Sequence, residues 1–206
     1  MDFIFATRNP GKIREAAQLF GNCGLKATGL PESCANIPEP EETGATFMEN
    51  ALLKAEYWAA RLKTRGFLAV FADDSGLVID ALNGEPGIYS ARYLGANTPY
   101  TEKNRIILEK LRDVPDEKRA ARFVCAIACV LPDKTLTAEG VVEGAISREP
   151  RGESGFGYDP VFLLPERGVT LAELPREEKN EISHRGRAIR AMLREFNERK
   201  LSARFA

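Results

Sequence analysis

The segment FADDSG, Phe71–Gly76, lies between two apolar runs, FLAV before it and GLVIDAL after it. It sets two like charges, Asp73 and Asp74, side by side at the end of a stretch that reads as a buried strand. Adjacent carboxylates repel, and a buried charge is costly without a partner. Aspartate is also depleted in strands. Two arrangements answer this conflict. Either a solvated, Asp-rich turn follows the strand, or a hard divalent cation sits against the carboxylates and takes their oxygens as ligands.

The flanking pattern limits which folds can hold that pair. DFIFA near the N-terminus reads as a first strand, TRNPGK as a turn, and Ile13, Ala16, Ala17 and Phe20 recur at helical spacing. Residues 31–45 are rich in Pro, Glu and Gly and read as an exposed loop. Thr46 and Glu49 have the spacing of a capping box, and Phe47, Ala51, Ala55, Trp58 and Leu62 mark the apolar face of the helix that follows. In that helix Asn50 and Lys54 stand at i and i+4 and share another face. GFLAVFA is expected to be a second strand ending at the aspartates, with GLVIDAL a further short one. Residues 99–113 read as a helix, RFVCAIACVL and LTAEGVVEGAIS as an antiparallel hairpin, and VFLL as a strand after a glycine-rich loop. A last helix is expected from about Ser183, with Ile189, Met192, Leu193 and Phe196 on one stripe. Strands that first alternate with helices and later form a hairpin predict an α/β or α+β fold with a mixed sheet flanked by helices.

Composition removes several function classes. Lys and Arg total 29 against 30 Asp and Glu, a net charge of −1, so there is no overall positive field to hold a nucleic acid polymer. No apolar run reaches the ~18 residues that a membrane-spanning helix needs, and the N-terminal MDFIFATRNPGK does not read as a signal peptide. Cys23, Cys34, Cys125 and Cys129 form no C-x-x-C pair and His184 is the single histidine, which argues against zinc. Thiols in this pattern predict a reducing, cytoplasmic setting.

Four segments carry groups capable of chemistry. ATRNPGK, holding Thr7, Arg8, Asn9, Pro10, Gly11 and Lys12, is a strand-to-helix turn with a lysine at its end. Its spacing is not that of a Walker A loop; it is either an ordinary capped turn or an anion site. EPEETGATFMENALLKAE brings Glu41, Glu42 and Lys54 close together in sequence, as a solvated face or as part of a site. GESGFGYDP sets Phe156 and Tyr158 between glycines. Its aromatics either stack on a nucleobase or tuck into the core. EEKNEISHRGRA places Lys179, His184 and Arg185 around a predicted helix start, where cations oppose the dipole. Together these are the parts of a nucleotide site with a divalent metal ion. No nucleophile elbow is present.

The same blocks carry a resemblance. FATRNPGKIRE, EETGATFMENALLKA, ADDSGLVIDALNGEPGIYSARY, ARFVCAIA, SGFGYDPVF and KNEISHRGRA, in this order and over nearly the whole chain, resemble the inosine triphosphate pyrophosphatase family in its bacterial form. The core blocks show no departure from that pattern. The resemblance implies one domain over residues 1–206, with an elongated, curved mixed sheet, helices around it and two lobes about a central cleft. It implies a homodimer that uses Mg²⁺ and cuts ITP, dITP and XTP to the monophosphate and pyrophosphate. By the same resemblance Thr7 to Lys12 hold phosphates, Glu42 and Asp74 hold Mg²⁺, and Asp74 is the general base with Lys54 near the phosphates. Ser75 then contacts substrate, Phe156 stacks on the base, and Gly157, Tyr158 and Asp159 shape its pocket. Lys179, His184 and Arg185 read the base edge. The alternatives are a broader triphosphate pyrophosphatase for modified nucleotides, or a nucleotide-binding module without turnover.

Overall fold

The structure is a computed structural model and describes residues 2–62 and 69–202. Gly66, Phe67 and Leu68, the first residues of the expected second strand, lie outside the described residues. Seven strands form one sheet: β1 (Asp2–Phe5), β2 (Lys26–Gly29), β3 (Ala69–Ile79), β4 (Ala120–Val130), β5 (Thr135–Ile146), β6 (Phe162–Leu164) and β7 (Val169–Thr170), in the order β2-β1-β3-β4-β5-β6-β7. The helices are α1 (Pro10–Gly21), α2 (Phe47–Leu62), α3 (Tyr100–Lys110), α4 (Arg176–Ile182) and α5 (His184–Ser202). The class is α/β with a mixed sheet. β1 runs parallel to β2 and β3, while β6 is antiparallel to β5 and β7. β4 and β5 are sheet neighbours joined by four residues, and so short a connection can join only antiparallel strands.

The chain forms two compact units: Met1–Asp74, Cys125–Gly140 and His184–Ala206 make the first, Ser75–Val124 and Val141–Ser183 the second. β3, β4 and β5 each contribute residues to both.

In the first unit the period-two alternation of the strands divides the core into two faces. Phe3, Phe5, Ala69, Phe71, Cys125, Ile127 and Cys129 face α1 and α5, packing against Ala16, Leu19 and Phe20 of the former and Ile189, Met192, Leu193 and Phe196 of the latter. Ile4, Ala6, Val70, Ala72, Ala126 and Ala128 face α2, with Ala51, Ala55, Trp58 and Leu62. Phe71 stacks on Phe5 at 4.4 Å and on Phe20 at 5.1 Å between ring centroids. Gly140 lets β5 approach α5 closely: a Cβ there would meet the His184 carbonyl oxygen at 2.2 Å and the Ala188 nitrogen at 2.5 Å. The second unit has its own core, in which Leu77 and Ile79 of β3 join Ile107 and Leu111 of the α3 region, and Phe123 packs on Phe162 with centroids 4.6 Å apart.

The largest correction to the sequence reading concerns β3. The strand does not end at the aspartates but runs unbroken through Asp73, Asp74, Ser75 and Gly76 to Ile79, so GLVIDAL supplies the second half of one strand and then a 3₁₀ turn at Asp80–Leu82. Low strand propensity is overridden because each carboxylate finds its own partners, described below. β2, β7 and α4 were not anticipated: KATG and VT are short, and REEKNEI carries almost no apolar period. In α1 the buried stripe is Ala16, Leu19 and Phe20, while Ala17 is exposed.

Candidate active site

Alternation along β3 sends Asp73 and Asp74 to opposite faces of the sheet. Asp73, on the face of Phe71, accepts from Lys12 Nζ of α1 at 2.9 Å and from Arg185 Nε of α5 at 3.1 Å. Arg185 Nη1 also pairs with Glu15 of α1. The two cations that the sequence places at helix starts therefore have buried carboxylate partners, which offsets their unfavourable position relative to the helix dipole. Asp74, on the face of Ala72, accepts from Asn50 Nδ2 at 3.2 Å and from Lys54 Nζ at 3.3 Å, both on α2. The same ammonium donates to Glu42 Oε1 at 2.6 Å.

Glu42 lies in a loop with no regular structure, yet its position is fixed. Asn50, fully buried, accepts the Gly44 N–H at 2.8 Å through Oδ1 while its Nδ2 holds Asp74. The anticipated capping box is present: Glu49 N–H donates to Thr46 Oγ1 at 3.1 Å, and Glu49 Oε2 accepts from the Thr46 N–H at 3.2 Å and the Ala45 N–H at 2.6 Å. A Cβ on Gly44 would come within 2.7 Å of Glu49 Cβ and 2.8 Å of Asn50 Oδ1, so the loop can fold back on α2 only with glycine there.

At the start of α1, Asn9 is the N-cap and Pro10 occupies the first helical turn. The Gly11 and Lys12 N–H groups donate to Asn9 Oδ1 at 2.9 and 3.2 Å, and the Asn9 N–H donates to Thr7 Oγ1 at 3.2 Å. Arg8 donates to the carbonyls of Cys34 and Ile37 and pairs with Glu39 at 3.4 Å.

The electrostatics of the two aspartates diverge. Burial opposes the Asp73 charge, but Lys12 and Arg185 outweigh it, with Lys54 adding to them, and the carboxyl is held far below its ordinary range. Burial lifts Asp74 above its ordinary value; Lys54 and Asn50 resist that rise and Glu42 adds to it. Burial also opposes the Lys54 charge, yet Asp74, Asp73 and Glu42 together raise its pKa, so it stays an ammonium. Environments that push two carboxylates apart mark out different roles: Asp73 is a fixed anion, Asp74 the more basic group. Burial pushes the Cys125 thiol far up and Cys129 to about 12, which leaves neither as a nucleophile.

The second unit assembles a different set. Phe156, 38% exposed, sits between Gly155 and Gly157. Asp159 Oδ2 accepts from the Phe156 N–H and from Lys179 Nζ, each at 2.7 Å, and the Lys179 ammonium lies 4.7 Å from the centroid of the Phe156 ring. A Cβ on Gly155, at φ +80°, would come within 2.2 Å of Asp159 Oδ2. Tyr158 is buried. Ser75, the first residue of this unit, is half-buried on β3.

The structure thus brings Lys12, Glu42, Lys54, Asp73, Asp74 and Arg185 into one unit and Phe156, Asp159 and Lys179 into the other. His184, the first residue of α5, belongs with Arg185 to the first unit. Asn50 and Glu15 were not picked out as site residues. The spacing of Asn50 from Lys54 was the available signal for the first; nothing local marks Glu15 as the partner of a residue 170 positions away.

Comparison with known proteins adds to this geometry. A family model described as the Ham1 family matches residues 3–195. This chain belongs to the Ham1 family. It is 48% identical over 198 residues to the dITP/XTP pyrophosphatase of Geobacillus kaustophilus, covering 96% of this chain and 95% of that protein. It is equally 48% identical, over 199 residues, to the dITP/XTP pyrophosphatase of Thermus thermophilus, covering 96% and 93%. Among solved structures, the Ham1 protein of Staphylococcus aureus superposes with a TM-score of 0.83 at 42% identity, covering 97% of this chain and 100% of that one.

Proposed function

We propose that this Ham1 chain is a nucleoside triphosphate pyrophosphatase that cuts ITP, dITP and XTP between the α and β phosphorus atoms, releasing the monophosphate and pyrophosphate and so removing deaminated purines from the nucleotide pool. The names of its Ham1 relatives support the substrate class. The observation that carries the reading is Asp74: a carboxylate made more basic by burial, touching Lys54, which also holds Glu42.

In the reaction a water attacks the α phosphorus. Asp74 takes its proton, the α–β bridging bond breaks, and the electron pair leaves with pyrophosphate. Lys54, which touches both Asp74 and Glu42, offsets the charge that builds on phosphate oxygens, and Lys12 adds a cation to the phosphate-binding turn. Thr7 to Lys12 form the phosphate-binding turn, with the Asn9 cap keeping its shape.

Among the described residues no group of three or more His, Cys, Asp or Glu side chains forms a ready-made metal cage. The donor set fits Mg²⁺ all the same, because that ion binds through one or two carboxylates together with substrate phosphates. Glu42 and Asp74 already converge on one cation, the Lys54 ammonium, and we assign them as the ligands. When bound, Mg²⁺ supplies charge neutralisation on the phosphates.

For the base, Phe156 offers a stacking face and Asp159 aims the Lys179 ammonium. Ser75 contacts substrate, and Gly157 and Tyr158 shape the pocket. Lys179, His184 and Arg185 are donors suited to a 6-oxo group, and Arg185 is pre-oriented by Asp73 and Glu15. A donor facing the 6-amino group of adenine is left unpaired, which discriminates strongly. We place the enzyme in the cytoplasm as a homodimer, without a nucleic acid polymer or membrane as partner. Its four cysteines are free thiols, as a reducing compartment keeps them, and sedimentation tests the dimer.

Pyrophosphate release from a panel of triphosphates with Mg²⁺ tests the reading. Fast release from ITP, dITP and XTP with slow release from ATP and GTP is the expected result. Release of orthophosphate would move the cut to the γ phosphorus and overturn the mechanism.

A further inference from the structure

The loop that carries Phe156 has glycines at positive φ on both sides, +80° at Gly155 and +70° at Gly157. Such a loop has wide conformational freedom unless other elements hold it. Two tethers on adjacent residues, one buried and one partly buried, hold it here. The Asn104 side-chain amide, on α3, donates from Nδ2 to the Gly157 carbonyl at 3.1 Å, and Asn104 is only 4% exposed. The Tyr158 hydroxyl donates to the Ser90 carbonyl at 2.8 Å. Ser90 is itself fixed: its Oγ donates to the Gly87 carbonyl at 2.6 Å and accepts the Leu77 N–H of β3 at 2.9 Å. Tyr100, one turn before Asn104, packs edge-on against Tyr158 with centroids 5.1 Å apart.

α3 thus turns polar as well as apolar groups inward, against the usual pattern of an amphipathic helix. Asn104 is buried although it contributes nothing to the apolar core, and its one donor bond goes to the residue that follows Phe156. Removing a buried donor leaves the Gly157 carbonyl unsatisfied and frees the peptide next to the aromatic ring.

We infer that Asn104 is a positioning residue for recognition of the purine: by holding the Gly157 carbonyl it fixes the Phe156 ring and, through the Phe156 N–H to Asp159 bond, the carboxylate that aims Lys179. This rests on the proposal that Phe156 stacks on the base. The Tyr158–Ser90 bond is the second tether of the same loop. A residue with this role acts on base affinity and selectivity and leaves the phosphate chemistry alone.

The test compares Asn104→Asp, which replaces the donor amide with an acceptor of the same shape, with Tyr158→Phe, which cuts the second tether but keeps the ring in the core. Phe156→Ala is the control, and thermal unfolding checks that each variant folds. For Asn104→Asp the KM for dITP is expected to rise about tenfold and the dITP-over-dATP ratio of kcat/KM to fall by a similar factor. The kcat is expected to stay within about twofold, and inhibition by inorganic tripolyphosphate, which reports the phosphate end alone, to stay unchanged. Tyr158→Phe is expected to move the same quantities the same way by a smaller factor. Should kcat and tripolyphosphate inhibition change in step with KM, Asn104 is a general structural residue and the inference fails. Unchanged KM and selectivity in both tether variants, with a raised KM in Phe156→Ala, overturn the inference and leave the stacking reading standing. An unchanged KM in Phe156→Ala overturns the stacking reading itself, and the role of Asn104 falls with it.

Discussion

Asp73 and Asp74 are the same residue type, one peptide apart on the same strand, and the fold gives them opposite environments. Asp73 is clamped between Lys12 and Arg185 on the α1 and α5 face. Asp74 faces α2, where it meets Lys54 and the neutral Asn50 and feels a second carboxylate, Glu42. The first arrangement suppresses basicity and locks three elements together. The second leaves a carboxylate that burial makes more basic than usual. A strand is the element that achieves this with adjacent residues, because its side chains alternate faces. A helix would have set the two about 100° apart on one surface.

The comparison can be broken from either side. Asp74→Asn keeps the shape and removes the base; kcat is expected to fall by about 10²–10⁴ with the unfolding midpoint little changed, as read by pyrophosphate release and thermal melting. Asp73→Asn is expected to do the reverse. It removes the carboxylate shared by Lys12 and Arg185 and leaves Arg185 with Glu15 alone; with that partner kept, the loss is expected to fall below the about 3–5 kcal/mol of a fully broken buried pair, read as a lower urea midpoint at unchanged slope. The α2 side is sharpened by Asn50→Ala, which removes both the Asp74 contact and the Gly44 tether of the Glu42 loop. A loss of about 1–3 kcal/mol is expected for the groups left unpaired, together with a higher Mg²⁺ concentration for half-maximal rate. Phe156→Ala, far from both aspartates in sequence, is expected to act on the base end alone: KM for dITP rises in line with the ~1–3 kcal/mol of a base stack, with no change in the Mg²⁺ requirement.

Much of this was legible in the sequence, and the parts that were not share a physical cause. The Thr46/Glu49 box and the buried faces of α2 and α5 follow from local spacing, and they stand as read. The chemistry-bearing blocks were legible as residue types. Their grouping was not. Strand propensity argued for ending β3 at Asp73, yet two lysines and an arginine from three helices make charged residues tolerable inside it. The Arg185 partner of Asp73 lies 112 positions away, and no periodicity reports a contact over that separation. Arg185 reads in sequence as a misplaced cation at a helix start. The structure supplies the two carboxylates, Asp73 and Glu15, that explain its position. Asn50 was visible as a neighbour of Lys54, but its two-sided role depends on the path of a loop that carries no pattern of its own.

The most direct test is the turnover of Asp73→Asn and Asp74→Asn on dITP with Mg²⁺, measured side by side at a low temperature where both are folded. The expected result is a loss of about a thousandfold for Asp74→Asn and a loss within about tenfold for Asp73→Asn. If Asp74→Asn keeps its rate while Asp73→Asn loses it, the two faces of β3 have been assigned the wrong way round.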